Sequence, residues 1–465
     1  MSAPILWIAI PFLTGILILF FVPHKYSARV GGAFSAIVAA IALLIPIDTA
    51  LLLGSLSIKI SPSIQFLGRS FTLSTADGFL LVIIYGVAAL WFFGIQESNT
   101  ANRFVSFGLM IVSLLIASIA VDPFLYAALL LEIAAMLVIP LLVPPYQKAG
   151  RGVVRFITYQ TLAMPFILFS GWLLAGVEAS PGDVGSTTIS GVMLTLGFAF
   201  LFAIFPLYYW IPMLLEEASP YATGFLLWAL PIFTTIFALD FLDRYTWLRN
   251  SPQLMNAIQF AGVFMVASGG IFASLQRHIG RILGYAAIAE TGLLLLIIGL
   301  RTTETVNLIF ITLIPRGLEL VVWALALAIL KRKVYSLQFS DLQGLGRKYP
   351  VATASLIIAH LSISGFPLLA GFPSRLAIWA ELASQSLTTT FWVFLGMMGL
   401  LIAAIRTLAV FVMAEEDSAW ELNESWSQVT MLALGVSGLF ILGMFPQVLN
   451  PLLANLPSLF EHLGQ

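Results

Sequence analysis

The groups in this sequence best placed to do chemistry are ionisable residues set inside long apolar runs, and the chemistry they suit is proton or ion transfer. Glu132 sits in LYAALLLEIAAMLVIP, Glu290 in LGYAAIAETGLLLL, and Arg316 and Glu319 stand three residues apart in IPRGLELVVWALA. His360 precedes the motif SISGFPLLAGFPSR, Arg375 ends it, and Glu381 follows nearly two helical turns on. A charge at the centre of a bilayer costs at least about 3 kcal/mol on insertion scales, so each such residue needs a partner or a wet cavity. In a dry interior a carboxylate favours its protonated form, and a nearby guanidinium opposes that. Changing the distance between the two therefore loads or releases a proton. Glu132, Glu290, Arg316, Glu319, His360 and Arg375 are the expected pathway residues. Each also has a plainer role: Arg316 with Glu319 suits a static ion pair on one helix face, since arginine keeps its proton. A lone histidine such as His360 suits packing as well as titration.

The elements that must hold these residues are membrane helices. Of 465 residues, 60% are hydrophobic and only 9% charged, against about a quarter charged in a soluble domain. Runs near 4–22, 30–54, 74–96, 104–121, 123–143, 154–176, 187–214, 221–247, 256–275, 281–300, 305–330, 350–384, 388–413 and 427–447 approach or exceed the roughly 20 residues needed to cross hydrocarbon. They predict an all-α integral membrane protein of about fourteen spans, with a short amphipathic surface hairpin over 55–75. The N-terminal run has no basic leader before it and reads as a retained first span. The basic residues His24/Lys25/Arg29, Lys148/Arg151/Arg155, Arg277/Arg281 and Lys331 to Lys348 fall in odd-numbered connections. Glu178, Asp183, Asp240 and Asp243 fall in or beside even-numbered ones. The positive-inside rule then predicts both termini on the non-cytoplasmic side of a prokaryotic cell membrane. Glu216/Glu217 and the acids from Glu415 to Glu424 are exceptions on the basic side.

Two spans are interrupted alike. Pro206 and Pro212 are expected to split the seventh, and Gly365, Pro367, Gly371 and Pro373 the twelfth. Proline removes a helix donor and frees a carbonyl that lipid cannot satisfy. The offset from Pro206 to Pro367 and that from Glu132 to Glu290 are both about 160 residues, the pattern of two inverted repeats with a site where the broken helices meet. The expected organisation is N-terminal helices and hairpin over 1–103, a first repeat over 104–247, a second over 256–413, and a last helix and tail over 414–465. Tyr208, Tyr209, Trp210 and Tyr221 border the first break, placed either to hydrogen-bond water or to anchor at the interface.

The same residues bound the function from outside. With no cysteine and four scattered histidines, iron–sulfur, thiolate and haem sites have no ligands, so no cofactor is expected and any electrons must pass through another chain. No nucleotide loop or nucleophile–base arrangement appears, and a net charge of −1 gives nucleic acid no footprint.

From Asp77 to Arg406 the chain resembles the antiporter-like membrane subunits of respiratory complex I, a family shared with Mrp-type cation/proton antiporters and membrane-bound hydrogenases. DPFLYAALLLEIAAM resembles the family's fifth helix, with its glutamate at Glu132, and FPLYYWIPMLLEEASP its broken seventh helix. QRHIGRILGYAAIAETG and DLQGLGRKYP with SISGFPLLAGFPSR resemble later segments up to the second break. The resemblance implies two inverted half-channels joined by a polar axis that moves protons when a redox module changes conformation. Its implied partners are other membrane subunits of a multi-subunit respiratory or antiporter complex, the lipid bilayer, and protons or monovalent cations. Several lysines of that axis are replaced: Leu201, the stretch around Pro231, Glu319 and Arg375 stand at lysine positions, and Tyr208 at a histidine position. Three functions remain open: a proton-translocating subunit of a redox-driven translocase such as an NADH:quinone oxidoreductase, a structural membrane-arm subunit that conducts nothing, and a cation/proton antiporter subunit.

Overall fold

Apolar segments can satisfy their backbone in hydrocarbon only as helices or closed barrels, and here they form helices. A computed structural model describes residues 2–53, 56–98, 103–143, 148–179, 184–300, 304–413, 420–460 and 462–463. Asp183 and the acids Glu415 to Asp417 lie outside the described residues.

After a π-helical turn over Ile5–Ala9 come α1 (Ile10–Phe21) and α2 (His24–Leu44). The second helix is shorter at its end than expected, because Pro46 follows and disfavours helical backbone before it. His24, Lys25 and Arg29, expected in the connection, form its first turns. The chain then makes a hairpin of β1 (Ala50–Leu53) and β2 (Leu56–Lys59), and a second of β3 (Ser63–Phe66) and β4 (Arg69–Thr72). Leu67 and Gly68 turn the second hairpin with positive φ angles of 50° and 72°. These strands replace the expected end of the second span and qualify the all-α expectation.

α3 (Asp77–Ser98) and α4 (Phe104–Ala120) follow, then β5 (Val121–Asp122), which joins β4 in a three-stranded sheet. Next are α5 (Ala127–Leu142), α6 (Arg151–Ala179) and α7 (Val184–Leu201). Beyond the first break lie α8 (Trp210–Glu217), α9 (Pro220–Arg244) and α10 (Thr246–Arg249). Then come α11 (Pro252–Leu275), α12 (Ile279–Gly299), α13 (Thr305–Lys331) and α14 (Leu345–Lys348). α15 (Pro350–Ile363) and α16 (Gly371–Gln385) flank the second break, and α17 (Leu387–Val412), α18 (Trp426–Met444) and α19 (Asn450–Leu453) complete the chain. Prolines open α9, α11 and α15, where their missing N–H would have had no helical partner anyway.

Ten helices among the described residues are long and apolar enough to cross a membrane. α9, α12 and α13 are enclosed on nearly all sides, whereas α18 is enclosed on few. That places α12 and α13, with Glu290, Arg316 and Glu319, in the middle of the bundle.

Both breaks are real interruptions. The first runs over 202–209, with Ala203 at a φ of 51° and Pro206 inside it. Pro212 is not at the break as expected. It is the third residue of α8, where the first turn tolerates proline, and Gly284 of α12 lies close against its backbone. The second break runs over 364–370 and contains Gly365 (φ 77°), Pro367 and Leu368 (φ 71°). Gly371 and Pro373 belong to the first turn of α16. Gly365 needs its freedom, since a left-handed residue with a side chain would be strained and a Cβ there would press 3.0 Å from Arg375 Cγ.

Candidate functional site

α12, α13 and α16 bring four charges together. Glu290 is 3% exposed, Arg316 1%, Glu319 0% and Arg375 1%. Arg375 Nη2 donates to Glu290 Oε1, and the same nitrogen lies 3.8 Å from Glu319 Oε2. Arg316 Nη1 approaches Glu290 Oε2 at 4.0 Å. The order is thus Arg316, Glu290, Arg375, Glu319, two cations alternating with two anions. Formal charge cancels, the condition for retaining ions in a dry interior.

The ion pair expected between Arg316 and Glu319 is not among the ion pairs of the described residues. Each reaches instead to another helix. Arg316 Nη2 donates to Leu227 O at 3.0 Å and to Thr291 Oγ1 at 3.2 Å. Pro231 explains the free carbonyl. It has no N–H to offer the carbonyl four residues back, which is Leu227. Glu319 Oε1 accepts from Ser362 Oγ at 2.6 Å, and Ser362 Oγ accepts from Gly371 N at 3.0 Å. Ser362 therefore ties the carboxylate to both sides of the second break. Arg375 Nη1 donates to Ser374 Oγ at 3.0 Å, whose hydroxyl donates to Gly371 O. Among the described residues Glu319 Oε2, Arg316 Nε and Nη1, and Arg375 Nε have no hydrogen-bond partner.

The other expected residues stand apart. His360, fully buried on α15, stacks on Trp323 with ring centroids 4.3 Å apart, and among the described residues neither ring nitrogen is hydrogen-bonded. Glu132 is buried on α5; among the described residues its Oε2 has no hydrogen-bond partner and no ion pair or hydrogen bond joins it to the cluster. α5 packs on α4, α6 and α9. Glu381 is half-buried and accepts from Gln385 Nε2 at 3.2 Å.

At the first break Tyr208 Oη donates to Ser268 Oγ at 3.1 Å. Tyr159 Oη donates to Tyr209 Oη at 3.1 Å, and the Arg155 guanidinium lies 4.5 Å from the Tyr209 ring centroid. Tyr221 is fully buried and donates to Trp91 O at 2.7 Å, which makes it a core residue and not an interfacial anchor. Among the described residues no three histidine, aspartate or glutamate side chains gather as a metal would require.

The sequence reading missed Ser362, Thr291 and the Leu227 carbonyl. The serine motif before Gly365 and the proline four residues after Leu227 were the available signals. The acids on the basic side also find their reason here. Glu216 pairs with Arg281, Glu217 accepts from Gly152 N at 2.7 Å, and Glu424 accepts from Val351 N and Ala352 N at 2.9 and 3.0 Å, capping α15. Outside the spans, burial lowers the pKa of His278 from its ordinary 6.5, opposed first by Glu216 and reinforced by Arg281 and Lys331.

Comparison with known proteins agrees with this architecture. Residues 177–403 match the family described as NADH:quinone oxidoreductase/Mrp antiporter, transmembrane. NADH-quinone oxidoreductase subunit N of Dehalococcoides mccartyi is 26% identical over 318 residues, covering 63% of this chain and 63% of that protein, so the match spans less than two thirds of the relative's length. A chain of respiratory complex I from Thermus thermophilus superposes with a TM-score of 0.80 at 18% identity, over 99% of this chain and 100% of the other. A chain of the membrane-bound sulfane sulfur reductase, an archaeal respiratory membrane complex, gives 0.84 at 16% identity, over 100% and 98%. Over residues 177–403 this multi-pass membrane protein thus resembles the NADH:quinone oxidoreductase/Mrp antiporter family, and over nearly its whole length it shares the fold of chains from two respiratory complexes.

Proposed function

We propose that this chain is a proton-translocating subunit in the membrane arm of a complex I-type or related respiratory complex. In this reading it has about fourteen spans in two inverted repeats, both termini on the non-cytoplasmic side, and neighbouring membrane subunits as partners. The observation that carries it is the shared guanidinium of Arg375. One nitrogen serves Glu290 directly and lies 3.8 Å from Glu319, and Arg375 sits on α16, just past the break. A small shift of the half-helix moves the cation toward one carboxylate and away from the other. A buried carboxylate takes up a proton when its cation leaves and releases it when the cation returns. Arginine keeps its own proton throughout, so the carboxylates are the carriers and Arg375 is the switch. Glu132 is the proton-handling group of the first repeat, coupled to the cluster through the two breaks.

The test is proton flux through the reconstituted complex carrying Glu132→Gln or Glu319→Gln. Loss of pumping with assembly intact supports the reading, and unchanged pumping in both variants refutes it.

One observation favours the second reading, a membrane-arm subunit that conducts nothing. Between Glu132 and the cluster, α9 packs on both α5 and α13 and presents Phe225 and Trp228 packed with Trp91, centroids 5.9 and 6.4 Å apart, and two of the lysine positions of the axis, Leu201 and the stretch around Pro231, are apolar. Carriage of sodium or potassium by an Mrp-type subunit is distinguished in the same flux assay by replacing the cation.

A further inference from the structure

α11 and α17 run side by side in the same direction, with residues 266–270 against 396–399 and the Arg406 guanidinium donating to Ser274 O. Glycines set the closest approach, since a Cβ on Gly270 or Gly396 would collide with the opposing backbone. A cavity of about 730 Å³ runs along α11 from Asn256 to Phe272 and is closed on its other side by Thr388, Thr389 and Trp392 in the first turns of α17. That volume is within the range of roughly 300–1,000 Å³ typical of small-molecule sites.

The cavity is graded in polarity. Its outer end carries Asn256, Gln259 and Thr388, whose side chains make no hydrogen bond among the described residues, and its body is walled by Phe264, Phe272 and Trp392. Among the described residues no charged side chain lines it. The polar end lies roughly one to two turns inside the start of α11, the depth at which hydrocarbon gives way to the polar interface of a bilayer. Both helices are long and apolar enough to span a membrane and only partly enclosed by the rest of the chain.

We propose that this groove is a phospholipid site. The acyl chains occupy the aromatic-walled body, and the glycerol ester oxygens accept hydrogen bonds from Asn256, Gln259 and Thr388. The absence of lining charge selects a head group of zero net charge. The inner wall touches the first break: Ser268 accepts from Tyr208, and Phe264 packs on Phe205 with centroids 4.5 Å apart. A bound lipid thus abuts the hinge, whether or not the chain conducts protons.

Native mass spectrometry of the full chain, delipidated in detergent and then mixed with dioleoylphosphatidylcholine, tests this. One lipid per chain should survive the activation energy that strips the others. Ala267→Trp, which fills the groove, should abolish that adduct, whereas Ile402→Trp on the exposed surface of α17 should not. Asn256→Leu combined with Thr388→Val keeps the groove and removes hydrogen bonds, and should weaken retention by about tenfold. It decides the matter if Ala267→Trp does not fold. A wild-type chain with no retained lipid, an adduct indifferent to these changes, or a protein partner found covering Trp392 overturns the proposal.

Discussion

Glu290→Gln is the sharpest probe of the charge cluster. Glu290 is the carboxylate that meets both guanidiniums, Arg375 by direct hydrogen bond and Arg316 at 4.0 Å. At that separation two unit charges attract by about 4 kcal/mol at an effective dielectric constant of about 20, and desolvation offsets much of it. The attraction lost is not the main effect. Removing one member leaves two buried guanidiniums facing a single carboxylate, and breaking a buried pair costs about 3–5 kcal/mol. The double variant Glu290→Gln with Arg375→Gln keeps one cation and one anion. It should be less destabilised than either single change, with a coupling energy of about 2–3 kcal/mol. The assay is a double-mutant cycle on the purified chain, unfolded by denaturing detergent in mixed micelles and followed by circular dichroism. Glu381→Gln, half-buried and outside the cluster, should move stability by less than about 0.5 kcal/mol. If Glu290→Gln and Arg375→Gln each cost less than about 1 kcal/mol and add without coupling, the cluster is not held by charge balance.

Three further outcomes follow from the geometry. Gly371→Ala should block expression of folded protein, because its methyl would collide with Ser362 O and lie 2.6 Å from Glu319 Oε1; Ser362→Ala should instead fold and cost about 1–3 kcal/mol by leaving Gly371 N–H and Glu319 unsatisfied, both read by fluorescence-detected size exclusion with thermal challenge. His278 accepts from Arg281 N at 3.3 Å through Nδ1 and so caps α12 in its neutral form. Its folded pKa lies below 6.5, so its contribution is full above about pH 6.5 and declines as pH falls below that. Thermal melts over that range should show the loss in the wild type and a flatter profile in His278→Asn. Glu424→Ala should cost about 0.5–2 kcal/mol by uncapping α15, measurable in the same melts, while Glu421→Ala, exposed with its side chain accepting from the exposed Asn423 Nδ2, should not.

Hydropathy and charge spacing alone determined that this chain is a helical membrane protein, which helices are interrupted, and which ionisable residues are kept in oil. Those properties are local: a run of apolar residues has one way to satisfy its backbone in lipid, and an interrupting Gly-Phe-Pro cannot continue a helix. Even so, a proline in the right region was not enough to locate a break, because Pro212 falls where a first helical turn accepts it. Partnership was decided by the tertiary structure. Arg316 and Glu319, three residues apart, looked like each other's partners, yet Arg316 turns to Glu290 and to a carbonyl freed by Pro231 of α9, 85 residues away in sequence, while Glu319 turns to Ser362 and Arg375 across the second break. Charges in a low-dielectric interior pair with whichever opposite charge the packing of distant helices delivers, and no spacing along one helix encodes that choice.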